Sequence, residues 1–255
     1  MTRLPAKHSP ATDTSRRVGL ARALSKLGYC SRSQAGELIR AGRVRLNGAV
    51  RKDPETPVRV GRDRIEADGA AVGAAEKLYL MLNKPRGAVT SASDEKGRET
   101  VYAYLGEDLP WVAPVGRLDK ASEGLLLLTN DSEWAARITA PETHLEKIYH
   151  VQIDRAPEAT LLHKLEQGLT TKEGDFLRVK HAGILRQGER NTWLEIILEE
   201  GKNRHIRRML EHLGKEVRRL VRVAIGPVVL GDLPKGASRP LSRAERESLD
   251  QALRP

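Results

Sequence analysis

The residues with the clearest capacity for chemistry lie in the string GRLDKASEGLLLLTND at positions 116–131. It sets Asp119 between Arg117 and Lys120 and runs on into four consecutive leucines at 125–128. A carboxylate at the mouth of a buried strand, flanked by cations, is held ionised because nearby opposite charge favours the charged form more than partial burial penalises it. Such a group serves as a nucleophile or a general base. An isolated Arg-Leu-Asp triplet is more often a capped turn or a surface ion pair, so the rest of the chain has to decide the matter.

Two other segments could converge on that carboxylate. KIYHVQI reads as a strand with Tyr149, Val151 and Ile153 on one face. By periodicity alone, Tyr149 is an ordinary core aromatic. After the half-buried strand TWLEIILEE, Gly201 leads into a helix with Ile206, Met209, Leu210 and Leu213 as its apolar stripe and Gly214 as its stop. Helical spacing then groups Arg204, Arg207 and Arg208 opposite the stripe. One guanidinium can face a carboxylate while its neighbours hold phosphates, a post that suits a side chain which stays charged and binds bidentately.

Charge indicates the partner. The chain has 255 residues and a net charge of +10, yet positions 16–52 alone carry +9 and positions 202–222 carry +6. The remainder is therefore slightly acidic. Clustered cations of this kind point to a polyanion, nucleic acid first and an anionic membrane second. No apolar stretch approaches the ~20 residues of a membrane span, and the N-terminus lacks a secretory signal, so a soluble, cytoplasmic protein is expected. One cysteine, Cys30, excludes an internal disulfide. The seven histidines show no ligand spacing, and His205 and His212 are expected at the surface or facing RNA. No glycine-rich phosphate loop follows a strand, so neither metal nor organic cofactor is expected.

The elements that must position these groups form two unequal domains. Residues 1–16 read as a disordered basic arm. Residues 17–68 form a small basic module: a helix with Leu20, Ala23, Leu24 and Leu27, and a second helix opened by a Ser31/Gln34 capping box. An Asn47-Gly48 hairpin follows. Arg22, Arg32, Arg40, Arg43 and Arg45 stud its surface. GAAVGAAE at 69–76 reads as a linker, 77–241 as the larger domain, and 242–255 as a C-terminal tail. In the larger domain a short polar helix is expected at 133–139, and strands outnumber helices. The fold class is therefore α+β with a mixed, largely antiparallel sheet.

The string LARALSKLGYCSRSQAGELIRAGRVRLNGAVRKDPETPV resembles the alpha-L RNA-binding domain. LNKPRGAVTSASD, VGRLDKASEGLLLLTND, EKIYHVQI and EEGKNRHIRRM, in that order, resemble the successive motifs of pseudouridine synthases of the ribosomal-RNA branch that carries an alpha-L domain in front. The resemblance implies that Asp119 is the catalytic aspartate, Tyr149 the base-stacking tyrosine and Arg207 the basic partner of the aspartate. It also places Arg117 near an extruded nucleotide and Leu220 in the apolar wall of a uracil pocket, and it gives Lys84 and Pro85 a part in shaping the fold. It implies isomerisation of a flipped-out uridine in ribosomal RNA, the large subunit favoured over the small, by a monomer with no cofactor. Two other readings compete. A ribosome-assembly factor that only binds RNA would follow if Asp119, Tyr149 and Arg207 did not meet. A glycoside hydrolase could use Asp119 and Glu123 as its carboxylate pair, although Glu123 looks better suited to orienting the loop.

Overall fold

The structure, a computed structural model, describes residues 17–92, 94–106, 108–154, 157–158 and 160–254. The arm expected at residues 1–16 lies outside them. The chain divides into units at 1–75 and 76–255, described in turn.

In the first unit, helix α1 (Leu20–Lys26) and helix α2 (Arg32–Arg40) fall where the apolar spacing places them. The capping box forms as expected: Ser31 Oγ accepts from Gln34 N at 3.2 Å, and Gln34 Oε1 accepts from Ser31 N at 3.1 Å. Leu20, Ala23, Leu24, Ala35 and Ile39 are fully buried in one core with Val44 and Val58. Strands β1 (Val44–Leu46) and β2 (Ala49–Arg51) pair across Asn47 and Gly48 at φ 53° and 82°. That backbone tolerates asparagine and glycine best.

The linker expected at 69–76 is corrected by the structure. Strand β3 (Ile65–Ala67) turns through Asp68 and Gly69 into β4 (Ala70–Ala71), which pairs with it. Val72 packs on the core, and the Ala75 amide donates to the Leu27 carbonyl. The small residues that resemble a spacer form the last hairpin of the module, since its turn needs Gly69 in a left-handed backbone.

The second unit is built on one nine-stranded sheet. Its strands are β5 (Tyr79–Lys84), β6 (Glu123–Thr129), β7 (Lys147–Asp154), β8 (His181–Gln187), β9 (Asn191–Leu198), β10 (Val217–Ile225) and β11 (Ser238–Pro240), in the order β8-β9-β7-β10-β6-β5-β11. Short strands Ala113–Pro114 and Val228–Val229 add to β6 and β10. Strand β6 is buried along its whole length, with Leu126 and Leu128 in one core and Leu125 and Leu127 in the other. Its continuous apolar run is the mark of a strand covered on both faces. Helix α3 (Ser132–Thr139), with Trp134 and Ile138, contributes to the second core. Helices α4 (Leu161–Gln167) and α5 (His205–His212) contribute to the first. Helix α6 (Arg243–Ala252) joins α3 on the second.

The C-terminal tail is also corrected. Helix α6 opens on a Ser242/Glu245 capping box, and Leu249 and Leu253 are 0% and 8% exposed. Asp250 accepts from the Trp134 indole and ion-pairs with Arg137. A stretch dominated by charged residues hides a stripe only two leucines wide. No helix among the described residues is long and apolar enough to cross a membrane.

All sheet pairings among the strands of the described residues are antiparallel except β6 with β10, where Val221 faces Glu123 and Arg222 faces Gly124. A Cβ on Gly124 would lie 2.3 Å from the Arg222 carbonyl oxygen and 2.8 Å from its nitrogen, and the residue sits at φ 99°. Only glycine permits that approach. Gly124→Ala is therefore expected to destabilise the unit by about 3 kcal/mol or more, combining a forbidden backbone with a steric clash. Chemical denaturation measures this, and an unchanged midpoint would contradict it.

Candidate active site

Asp119 lies in the loop that enters β6, half-buried, between exposed Arg117 and exposed Lys120. Five successive carbonyls of this loop are held from outside. Thr90 Oγ1 donates to Leu118 O at 2.8 Å, and Gly87 N to Lys120 O at 2.8 Å. Arg207 Nη2 donates to Ala121 O at 3.0 Å. Lys84 Nζ donates to both Asp119 O at 3.1 Å and Ser122 O at 2.8 Å, and to its neighbour Pro85 O at 3.1 Å. Such charge-assisted bonds to main chain fix a loop without touching its side chains. The Asp119 carboxylate itself has no hydrogen bond or ion pair among the described residues.

Lys84 is fully buried, and all three of its donors are used on carbonyls. Burial lowers its pKa to about 8, against the opposing pull of Asp119 and Glu123 and with a further push from Arg222. The resemblance gives Lys84 a part in shaping the fold, and its contacts specify which part: it holds both ends of the turn that presents Asp119.

The loop forms one wall of a cavity of about 590 Å³, within the range of small-molecule sites. Tyr149, 8% exposed, stands on β7 in its floor. Antiparallel register sets Tyr149 opposite Arg222 and Val151 opposite Leu220, so these side chains share a face. Leu220 lines the cavity, as do Arg117, Arg204 and Arg207. The three residues expected to meet, Asp119, Tyr149 and Arg207, thus border one space.

Several expectations are corrected. Arg207 makes no direct pair with Asp119: Nη1 donates to Val217 O and Nη2 to Ala121 O, and Nε is buried without a partner. Burial and then Arg204 lower its pKa, and Asp119 acts on it through space in the opposite direction. Arg204 is not helical. It caps α5 in a left-handed backbone, φ 48°, which separates it from the helical row. Arg208 is outside the cavity, bonded to Thr171, Glu173 and Asp175. Its charge is neutralised by the chain's own acids, so it is a poor phosphate ligand. His205 is 3% exposed rather than superficial, and both ring nitrogens are buried without hydrogen-bond partners. Burial depresses its pKa against the pull of Glu200, whose Oε1 lies 3.9 Å from Nδ1. Glu123 is occupied by Arg219 and Lys235 and does not line the cavity. Burial would raise its pKa, but those cations hold it below the ordinary value. The carboxylate pair of a glycoside hydrolase does not form.

Lys147 and Arg222 also line the cavity and escape the reading of the sequence. A signal is there: each stands two positions along a strand from an expected site residue, Tyr149 or Leu220, and so on the same face. In the first unit a second cavity of about 610 Å³ is lined by Arg17, Arg22, Arg32 and Arg40 together with Glu37 and Glu55. Arg43 and Arg45 are exposed but committed, the first to Asp68 in a two-bonded pair and the second to Gly48 O. No group of three or more potential metal ligands occurs among the described residues.

The anchoring by Lys84 has a pH signature. Its folded pKa of about 8 lies below its ordinary 10.5, so between those values the unfolded chain binds the extra proton and this group's contribution to stability rises with pH. Deprotonation also removes one of the three donors that hold the Asp119 loop. Turnover is expected to fall above about pH 8 with no decrease in melting temperature attributable to this group, and Lys84→Met to reduce turnover at least about tenfold at pH 7 with RNA affinity retained. Single-turnover rates across the pH range check both.

Comparison with known proteins agrees with this geometry. The RNA pseudouridylate synthase family matches residues 78–212, and the S4 domain, an RNA-binding module, matches residues 11–63. The chain is 36% identical over 231 residues to the ribosomal large subunit pseudouridine synthase B of Bacillus subtilis, covering 90% of this chain and 94% of that one. It is 38% identical to an uncharacterized RNA pseudouridine synthase of Aquifex aeolicus, over 90% and 92% of the two chains. A pseudouridylate synthase crystal structure superposes with a TM-score of 0.64 at 32% identity, covering 91% of this chain and 99% of that one. A basic module ahead of a mixed sheet, with an unpartnered carboxylate beside a tyrosine and an arginine, thus coincides with a match spanning nearly the whole chain, and the protein belongs to the family of RNA pseudouridine synthases.

Proposed function

We propose that this enzyme isomerises a specific uridine to pseudouridine in the RNA of the large ribosomal subunit, with Asp119 as the essential catalytic group. The observation that carries this reading is the unpartnered Asp119 carboxylate facing one cavity with Tyr149, Leu220 and Arg207. The name of the Bacillus subtilis relative supports the choice of subunit. The same reaction on small-subunit RNA is the alternative substrate.

In this reading the residues divide the work as follows. The target uridine leaves its stack to reach the loop. Its base lies on the Tyr149 ring, and Leu220 closes the apolar side. Asp119 either attacks C1′ of the ribose or removes a proton as a glycal forms, the glycosidic C–N bond breaks, and the base turns so that C5 bonds to C1′. Arg207 keeps positive charge near the carboxylate while bracing its loop through Ala121 O. Enclosure excludes water that would capture the broken intermediate. Exposed Arg117 and Arg204 at the cavity take flanking phosphates. Arg22, Arg32 and Arg40 form the anchoring surface of the S4 domain. In this reading the protein is a cytoplasmic monomer that needs no cofactor.

Asp119→Asn is expected to abolish pseudouridine formation on deproteinised large-subunit RNA while affinity stays within a few fold, and retained turnover would remove Asp119 from this role. Mapping pseudouridines in ribosomal RNA from cells with and without the protein identifies the subunit. Replacing Arg22, Arg32 and Arg40 together by Gln is expected to weaken binding and to lower the slope of log affinity against log salt by about 0.7 to 0.9 for each phosphate no longer neutralised. An unchanged slope would exclude this face as the anchor.

A further inference from the structure

The cavity holds two cations that the roles above leave unused. Lys147 begins β7, two residues before Tyr149, and Arg222 lies directly across from Tyr149 in the register of β10. Both line the cavity. Arg222 is 6% exposed, its Nε donates to Leu125 O at 2.8 Å, and its Nη2 is buried without a partner. Lys147 Nζ has one long bond, 3.3 Å, to Glu199 O. Neither takes part in an ion pair among the described residues. The acids nearby are engaged elsewhere: Glu199 with Lys180, and Glu200 with Lys202. Burial lowers the Lys147 pKa, and the neighbouring Arg222 charge lowers it further against the pull of Glu199.

Two neighbouring cations that pair with no acid are unfavourable unless negative charge arrives, and the free carboxylate of the same cavity, Asp119, is committed to the sugar in the proposed reaction. The reaction generates such charge at this place. When the C1′–N1 bond breaks, both bonding electrons remain with the base, leaving a uracil anion whose charge is spread over N1, O2, O4 and C5. The sugar is satisfied by an ester bond to Asp119 or by loss of its C2′ proton. C5 of the anion then bonds to C1′, displacing the Asp119 carboxylate from the ester or with the proton returned to C2′ of the glycal; the C5 proton is lost and N1 takes up a proton, so the isomerisation balances without a co-reactant. A base resting on Tyr149 has Arg222 beside it and Lys147 further along the same strand face.

We propose that Lys147 and Arg222 are catalytic residues that stabilise the detached uracil anion while it turns, as fixed positive charge aimed where negative charge develops. Such preorganised donors are among the largest contributions in enzymes. This inference rests on the proposed Asp119 reaction and adds the group that stabilises its leaving base.

The test compares single-turnover rates and RNA affinity of wild type, Lys147→Met, Lys147→Gln, Lys147→Arg and Arg222→Lys on RNA carrying uridine or 5-fluorouridine at the target. Fluorine makes the base a weaker proton acceptor and a better leaving group. Formation of the C–C bonded base is followed by nuclease digestion and mass spectrometry. Lys147→Met is expected to slow the reaction on uridine about 100-fold, with affinity within about threefold and with a deficit at least about fivefold smaller on 5-fluorouridine. Lys147→Arg, which keeps the charge, is expected to recover most of the rate. Equal deficits on both substrates would overturn the proposal. So would a defect confined to affinity, which would mark a phosphate ligand. If Lys147→Met fails to fold, the neutral Lys147→Gln provides the same comparison, and its full activity would likewise overturn the proposal; Arg222→Lys, which keeps the charge, is expected to slow the reaction on uridine less than Lys147→Met does. Wild-type turnover, read in the same assay, tests the parent reaction separately.

Discussion

The buried ammonium of Lys84 is the interaction on which the rest of the site depends. One side chain from the end of β5 ties three carbonyls, two of which bound the turn carrying Asp119. Thr90, Gly87 and Arg207 hold the carbonyls between and beside them. Every constraint falls on main chain, so the loop is rigid while its one reactive group stays unengaged. A carboxylate placed by its own hydrogen bonds would have to break them in order to react; one placed by its backbone does not.

A second constraint is the close parallel approach of β6 to β10 at Gly124. It joins the strand that follows the Asp119 loop to the strand bearing Leu220 and Arg222. The distances across the cavity are therefore set by hydrogen-bonded backbone on both sides. Loops supply the exposed groups at the cavity, such as Arg117 and Arg204, where adaptability costs little.

Much of this is legible in the sequence because strong local signals agree. The Ser31/Gln34 box, the Asn47-Gly48 turn, the four leucines of β6 and the alternation around Tyr149 each have a short-range physical cause, and each element forms where expected. The failures share a cause as well. Arg208 reads as a free cation because Glu173 and Asp175 are more than thirty residues away in sequence, and periodicity says nothing of pairing over that separation. Arg204 reads as helical because spacing cannot register a single left-handed residue. The Ala70–Ala71 strand and helix α6 escape notice because small or charged residues mask a narrow apolar stripe. The pairing of Arg207 with Asp119 rests on resemblance, and its bonds go to carbonyls instead.

The order of strands also governs when the molecule becomes competent. β5, at the start of the second unit, is bordered on its outer side by β11, and the Arg207 donor and the Leu220 and Arg222 wall near Asp119 come from α5 and β10, about ninety to a hundred residues downstream. Loop-closure entropy opposes such distant pairings until all their partners exist. A nascent chain on the ribosome therefore carries its acidic residue in an incomplete setting until α5, β10 and β11 have been made. Products that stop before these elements lack the complete chamber in which a ribose–base bond could be cleaved.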